Sequence, residues 1–205
     1  MDEPRPANDA ERFLRLAQRE ERGRLTVYLG AAPGVGKTYR MLQEAARRQT
    51  EGLDVLVGVA ETHGRSETAA LLEPFEVLPR RAIAYQGHTL DEFDIDAALD
   101  RRPGLILVDE LAHTNAPGSR HPKRWQDVAE LLVSGIDVAT TLNIQHIESL
   151  NDLVAGFTHV QVRETVPDSI LDSAEIIVVD LPPEALIERL RAGKVCLPET
   201  AGRAL

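Results

Sequence analysis

With 205 residues, 43% of them hydrophobic, the chain is long enough to bury one substantial core and short for two full domains. Its 33 acidic residues against 23 basic give a net charge of −10, which argues against nucleic-acid or anionic-membrane binding driven by bulk charge. The single Cys196 excludes an internal disulfide framework, and no Cys/His spacing makes a zinc ribbon.

The N-terminal stretch MDEPRPANDAERFLRLAQREERG is charged and has no apolar run, so it does not read as a secretory leader. No stretch elsewhere approaches the length of a membrane span, and a cytoplasmic chain without direct membrane insertion is expected. Residues 1–23 are expected to form a helical arm capped by Asn8 or Asp9, with Phe13, Leu14, Leu16 and Ala17 on a narrow stripe. From residue 24 to 195 strands and helices alternate. LTVYLG (25–30) is a short apolar strand, Gly36 to Arg48 has helical spacing, and Asp54 to Val59 is a second strand. Ser66 is a candidate cap for SETAALLE, AIAYQ (82–86) is strand-like, and DIDAALDRR is a short helix stopped by Pro103. LILVDE (105–110) is followed by a polar loop, a helix from Arg124 to Ser134, the strand IDVATTLN and a helix from His146 to Val154. HVQVRE and EIIVVDL read as strands, LPPEALIERL as a helix opened by its prolines, and 196–205 as a tail. Apolar runs separated by helices predict an α/β fold: a P-loop NTPase-like three-layer sandwich with a mainly parallel sheet.

The segment GAAPGVGKTY falls between a predicted strand and a predicted helix, where a phosphate loop of the form G-x-x-x-x-G-K-S/T has to sit. Small residues let successive backbone N–H groups close around phosphate oxygens, and the helix N-terminus adds partial positive charge. The candidate nucleotide-binding residues here are Ala31, Pro33, Gly34, Val35, Gly36, Lys37, Thr38 and Tyr39. Lys37 is placed on the β and γ phosphates and Thr38 on Mg²⁺. Ala31 stands where the strict motif has its first glycine, with Gly30 one position earlier. The alternative is a glycine-rich strand-to-helix turn, which has no need of a Lys-Thr pair. A dinucleotide fingerprint starting at Gly34 fails, because it requires glycine where Tyr39 stands.

Leu105 to Val108 lead directly into Asp109 and Glu110, the pattern of a strand that carries carboxylates to the sheet edge. Asp109 is the candidate to hold Mg²⁺ through a water, and Glu110 the candidate to orient or deprotonate a water attacking the γ phosphate. On its own the pair would read as a buried strand ending in solvent. In the loop that follows, Thr114 or Asn115 is a candidate phosphate sensor, and Arg120, Lys123 or Arg124 a candidate arginine-finger equivalent, against the reading as solvated loop charges. His113 and His121 have no Cys or further close His to complete a tetrahedral zinc site, which would then need a carboxylate ligand. After the strand ending near 143, Thr141, Asn143 and Gln145 should face the nucleotide, with Asn143 or Gln145 a candidate sensor. His146 reads better as a capping or packing residue, while His63, in a loop at the same edge, reads equally as a contact to a base or a partner and as a solvated loop residue.

Taken together, GAAPGVGKTYRML, ETHGR, VDELAHTNAPGSRHPKRWQDV, GIDVATTLNIQHIESLND, RETVPDSILDSA and DLPPEALIERL resemble the N-terminal cytoplasmic domain of the Kdp potassium sensor kinases, from about Arg24 to Val195. In that family the loop also begins Gly-Ala, so Ala31 fits the resemblance. The resemblance implies an ATP-binding regulatory input domain of a two-component histidine kinase that controls expression of a high-affinity potassium uptake system. It implies ATP and Mg²⁺ as ligands, with slow hydrolysis an open option, and the remaining domains of a membrane sensor kinase, or a separate kinase chain, as partners. The family's universal-stress-like domain, membrane helices, phospho-accepting domain and catalytic domain are not in these 205 residues, so a truncated or stand-alone input domain is expected.

Two other classes fit parts of the pattern. A type II thymidine kinase shares the loop and the acidic strand, but its cysteine-rich lasso has no counterpart here. A binding module that holds nucleotide without turnover differs only in what Glu110 does. No N-K-x-D guanine motif is present, which favours ATP over GTP.

Overall fold

A computed structural model describes residues 21–62, 64–158 and 162–191. Most of the expected N-terminal arm, His63 and the tail with Cys196 lie outside those residues.

The first strand, β1 (Leu25–Gly30), runs into helix α1 (Lys37–Thr50) across the glycine-rich loop. Strand β2 (Val55–Val59), helix α2 (Ser66–Ala70) and the short edge strand β3 (Glu76–Val77) follow. Next come β4 (Arg81–Tyr85), β5 (His88–Glu92), α3 (Ile95–Arg101), β6 (Leu105–Val108), α4 (Arg124–Val133) and β7 (Asp137–Asn143). The last elements are α5 (Glu148–Thr158), β8 (Glu175–Val178) and α6 (Pro183–Arg191). Six strands form one sheet in the order β3-β2-β6-β7-β1-β8, with every neighbouring pair parallel.

The apolar runs follow from this topology. Successive side chains of a strand point to opposite faces, so a central strand covered by helices on both sides needs apolar residues throughout. Val27, Leu56 and Ile106 enter one core with Ile95 and Ala98 of α3 and Val128, Leu131 and Leu132 of α4. Their neighbours Tyr28, Val57 and Leu107 enter the other core with Met41, Leu42 and Ala45 of α1. The sheet between two helical layers is the predicted three-layer α/β sandwich.

Several local expectations differ. Strands β4 and β5 form a separate antiparallel hairpin and take no part in the main sheet. Both turn residues, Gln86 and Gly87, have positive φ, as a two-residue hairpin that matches strand twist requires. Ser66 is the first helical residue of α2, not its cap; Arg65 occupies the cap position without a side-chain cap bond. Of HVQVRE, the described part, 162–164, is not a strand; the nearby pairing is one isolated parallel bridge between Ile147 and Val166. Among the described residues no helix is long and apolar enough to cross a membrane.

Candidate functional site

Strand order sets up the site. β7 lies between β1 and β6, so the loop after β1 and the carboxylates after β6 flank the end of β7 at one edge. Gly34 and Gly36 have φ of 84° and 101°, left-handed values that an L-residue adopts at a cost. Gly36 is the cap residue of α1; no side chain caps this helix end, and its first turn carries no acidic residue. Its free N–H groups and dipole therefore favour an anion. At Gly30 a Cβ would lie 2.6 Å from Val35 Cγ2 and 3.0 Å from Lys37 Cδ. The close approach that forbids a side chain is thus at Gly30, one residue before the strict motif position, and Ala31 is exposed. Val35 is buried and anchors the loop from beneath.

Lys37 is only 9% exposed. Its Nζ donates to the Ala32 carbonyl at 3.1 Å and to Asn143 Oδ1. Burial pushes its pKa down to about 8, with the nearby Asp109 carboxylate opposing the shift. The ammonium is held by neutral oxygens at the base of an anion-favouring loop.

Asp109 is buried and organises the other half of the site. Its Oδ2 accepts from Thr38 Oγ1 at 2.9 Å and from the Glu61 N–H at 3.1 Å. Its Oδ1 accepts from the Glu110 N–H at 3.1 Å and from Thr141 Oγ1. The buried guanidinium of Arg124 donates to the Asp109 carbonyl at 3.1 Å and lies 3.5 Å from Glu92, which fixes the backbone as well. Glu110 has φ of 59° and exposes its side chain at the mouth of the cleft. Backbone strain of this kind persists only where the surroundings enforce it, and here the Glu110 N–H is also held by Thr141 Oγ1 at 3.1 Å.

These groups line a cleft of about 800 Å³. Pro33, Gly34, Gly36, Lys37, Thr38, Tyr39, Asp109, Glu110, Thr141 and Asn143 face it. Thr114, Asn115 and Gln145 do not line it. Thr114 receives a hydrogen bond from Lys123 at 2.7 Å, and the Asn115 amide donates to Asp127 at 2.7 Å inside the protein. Nor do the three cations of that loop reach the cleft: Arg120 pairs with Asp96 and Glu130, Lys123 with Thr114, and Arg124 with the Asp109 carbonyl. His121 lies 2.7 Å from Glu130, while His146 lines the cleft and its Nδ1 lies 2.7 Å from the Glu164 carbonyl. Sequence reading missed Arg65, Glu164 and Arg189, which line the cleft from distant segments. Only the tertiary fold brings them there.

Fold and site define a three-layer α/β domain with a glycine loop and an acidic strand end on either side of one strand. A family model described as "KdpD: Osmosensitive K+ channel His kinase sensor domain" matches residues 21–205, and the chain belongs to that family. It is 59% identical to the sensor protein KdpD of Escherichia coli K12 over 198 residues, 96% of this chain and 22% of that protein. It is 53% identical to the sensor protein KdpD of Mycobacterium tuberculosis, over 90% of this chain and 22% of that protein. The putative sensor protein KdpD of Synechocystis is 53% identical over 90% of this chain and 50% of that protein. The chain thus spans between about a fifth and a half of the length of these relatives.

Proposed function

We propose that this chain is the ATP-binding input domain of a two-component potassium sensor, and that its nucleotide state biases a histidine kinase controlling high-affinity potassium uptake. The observation that carries this reading is the 2.9 Å hydrogen bond between Thr38 Oγ1 and Asp109 Oδ2, beside the buried Lys37 ammonium. Hard oxygen donors suit Mg²⁺, so Thr38 would hold the ion directly and Asp109 through a water. When bound, Mg²⁺ would neutralise phosphate charge between them.

The protein supplies the rest. Backbone N–H groups from Pro33's neighbours through Gly36 and the start of α1 cradle the phosphates. Lys37 exchanges its neutral partners for phosphate oxygens, which compensates an ammonium that burial leaves short of counter-charge. Asn143 senses the terminal phosphate, a role supported by its bond to Lys37. Tyr39 and Glu110 line the cleft, and the Glu110 carboxylate orients a water.

Calorimetry with ATP, GTP and a non-hydrolysable ATP analogue in Mg²⁺, on wild type and Lys37→Ala with phosphate release followed in parallel, tests this. Saturable ATP binding, weakened at least tenfold in a folded Lys37→Ala variant, is expected. Unchanged affinity in that variant would remove the loop from the binding site. Glu110→Gln separates slow hydrolysis from silent binding: affinity holds in both cases, and only a hydrolysing domain loses phosphate release.

A further inference from the structure

Arg189 lies in the last turn of α6, at the far end of the chain from the glycine loop, yet it reaches that loop. Its Nη1 donates to the Gly34 carbonyl at 3.1 Å across 155 residues of sequence. A Cβ built on Gly36 would find the same Nη1 at 3.6 Å. The guanidinium therefore lies over Gly34 and Gly36, the two left-handed residues that shape the loop, and it lines the cleft with Lys37 and Glu110.

The bond it makes there goes to a neutral carbonyl. Most other described arginines, such as Arg47, Arg80, Arg81, Arg101 and Arg120, are bound to carboxylates. A guanidinium offers five donors in a planar fork matched to phosphate oxygens, and its bond to an anion is roughly twice as strong as one between neutral groups. An arginine parked on a carbonyl at the rim of a phosphate site has a better partner as soon as a terminal phosphate arrives.

We infer that Arg189 is a triphosphate-sensing residue: with a nucleoside triphosphate in the cleft its guanidinium moves from the Gly34 carbonyl to the γ phosphate, and α6 moves with it. The inference rests on the nucleotide reading above. It adds a residue from a separate helix and gives the γ phosphate a mechanical output at residues 183–191. A diphosphate leaves Arg189 on the loop, so the two nucleotide states differ in where α6 is held.

The test compares MgATP analogue and MgADP binding to wild type, Arg189→Ala, Arg189→Lys and Lys37→Ala, with hydrogen–deuterium exchange of residues 183–191 read in each state. Arg189→Ala should bind the triphosphate about tenfold more weakly, bind ADP within twofold of wild type, and lose the triphosphate-specific change in α6 exchange. Arg189→Lys should fall between, and Lys37→Ala should weaken both nucleotides. If wild type binds both nucleotides but Arg189→Ala affects neither, or both equally, the inference is overturned and the loop assignment stands. If wild type binds no nucleotide, both readings fall.

Discussion

Glu110 adopts a left-handed conformation that costs an L-residue about 1–2 kcal/mol, beside the carboxylate that anchors the acidic strand end. Glycine pays no such penalty but loses more entropy on folding. Glu110→Gly should therefore change stability by less than about 1 kcal/mol, and Glu110→Val should lose about 2 kcal/mol, because β-branched residues fit this conformation worst. Urea melts of the two variants check the difference; equal losses would show that the backbone is not the constraint. Gly30 and Ala31 give a second contrast. Gly30→Ala forces a methyl against Val35 and Lys37 and should cost about 1–3 kcal/mol together with nucleotide affinity, whereas Ala31→Gly should leave binding within twofold. Melting curves and titrations of both variants decide it. Lys37, Thr38, Asp109 and Asn143 were legible in the sequence because each lies at or just past the end of a strand, or at the start of a helix, at one sheet edge. Arg189 was not, since an arginine late in an amphipathic helix carries no local mark of what it touches. Asn115 misled for the opposite reason: a polar residue in a polar loop turned inward, onto Asp127.

The hairpin β4–β5 shows how an element outside the sheet is tied to the site. Glu92 ends β5, is 7% exposed, and accepts from the Ala116 N–H at 2.8 Å while facing buried Arg124 and lying 3.3 Å from His113. Arg124 in turn holds the Asp109 carbonyl. Removing the carboxylate leaves a guanidinium buried without its counter-charge, so Glu92→Ala should destabilise the domain by about 3–5 kcal/mol, and Glu92→Gln by less, since the amide keeps an acceptor for Ala116. Chemical denaturation of both variants measures this, and a loss below 1 kcal/mol for the alanine would mean that Arg124 finds other partners. The parallel strands could be read from the sequence because two covered faces demand continuous apolar runs. The partner strand of the hairpin could not. HTLDE is polar and mostly exposed, and its pairing rests on the Gln86-Gly87 turn instead of on burial. Glu76–Val77 is too short to give a period at all.

At the scale of the whole molecule, Asp127 makes folding stability depend on pH. Burial raises its pKa from 3.8 to about 6, with the Asn115 amide pulling the other way. The folded state then binds more protons than the unfolded state between those values, so this contribution is complete below pH 3.8 and is lost as pH rises through about 6. Asp127→Asn keeps an acceptor for Asn115 and removes the titration. Relative to wild type it should gain on the order of 2–3 kcal/mol between pH 4 and pH 7, as about 1.4 kcal/mol per pKa unit implies. Denaturation curves at several pH values check the sign, and a pH-independent difference would show that Asp127 does not titrate in this range. The sheet order carries a consequence for how the protein is made. β1 emerges from the ribosome first, but Thr26 to Leu29 receive one of their two hydrogen-bonding neighbours, Glu175 to Val178, last. Until about residue 178 has been translated, the first strand, largely buried in the finished fold, keeps a bare edge open to other nascent chains. A translational pause before β8 therefore exposes the strand that leads into the glycine loop, and the last strand of the sheet is the one that closes that edge.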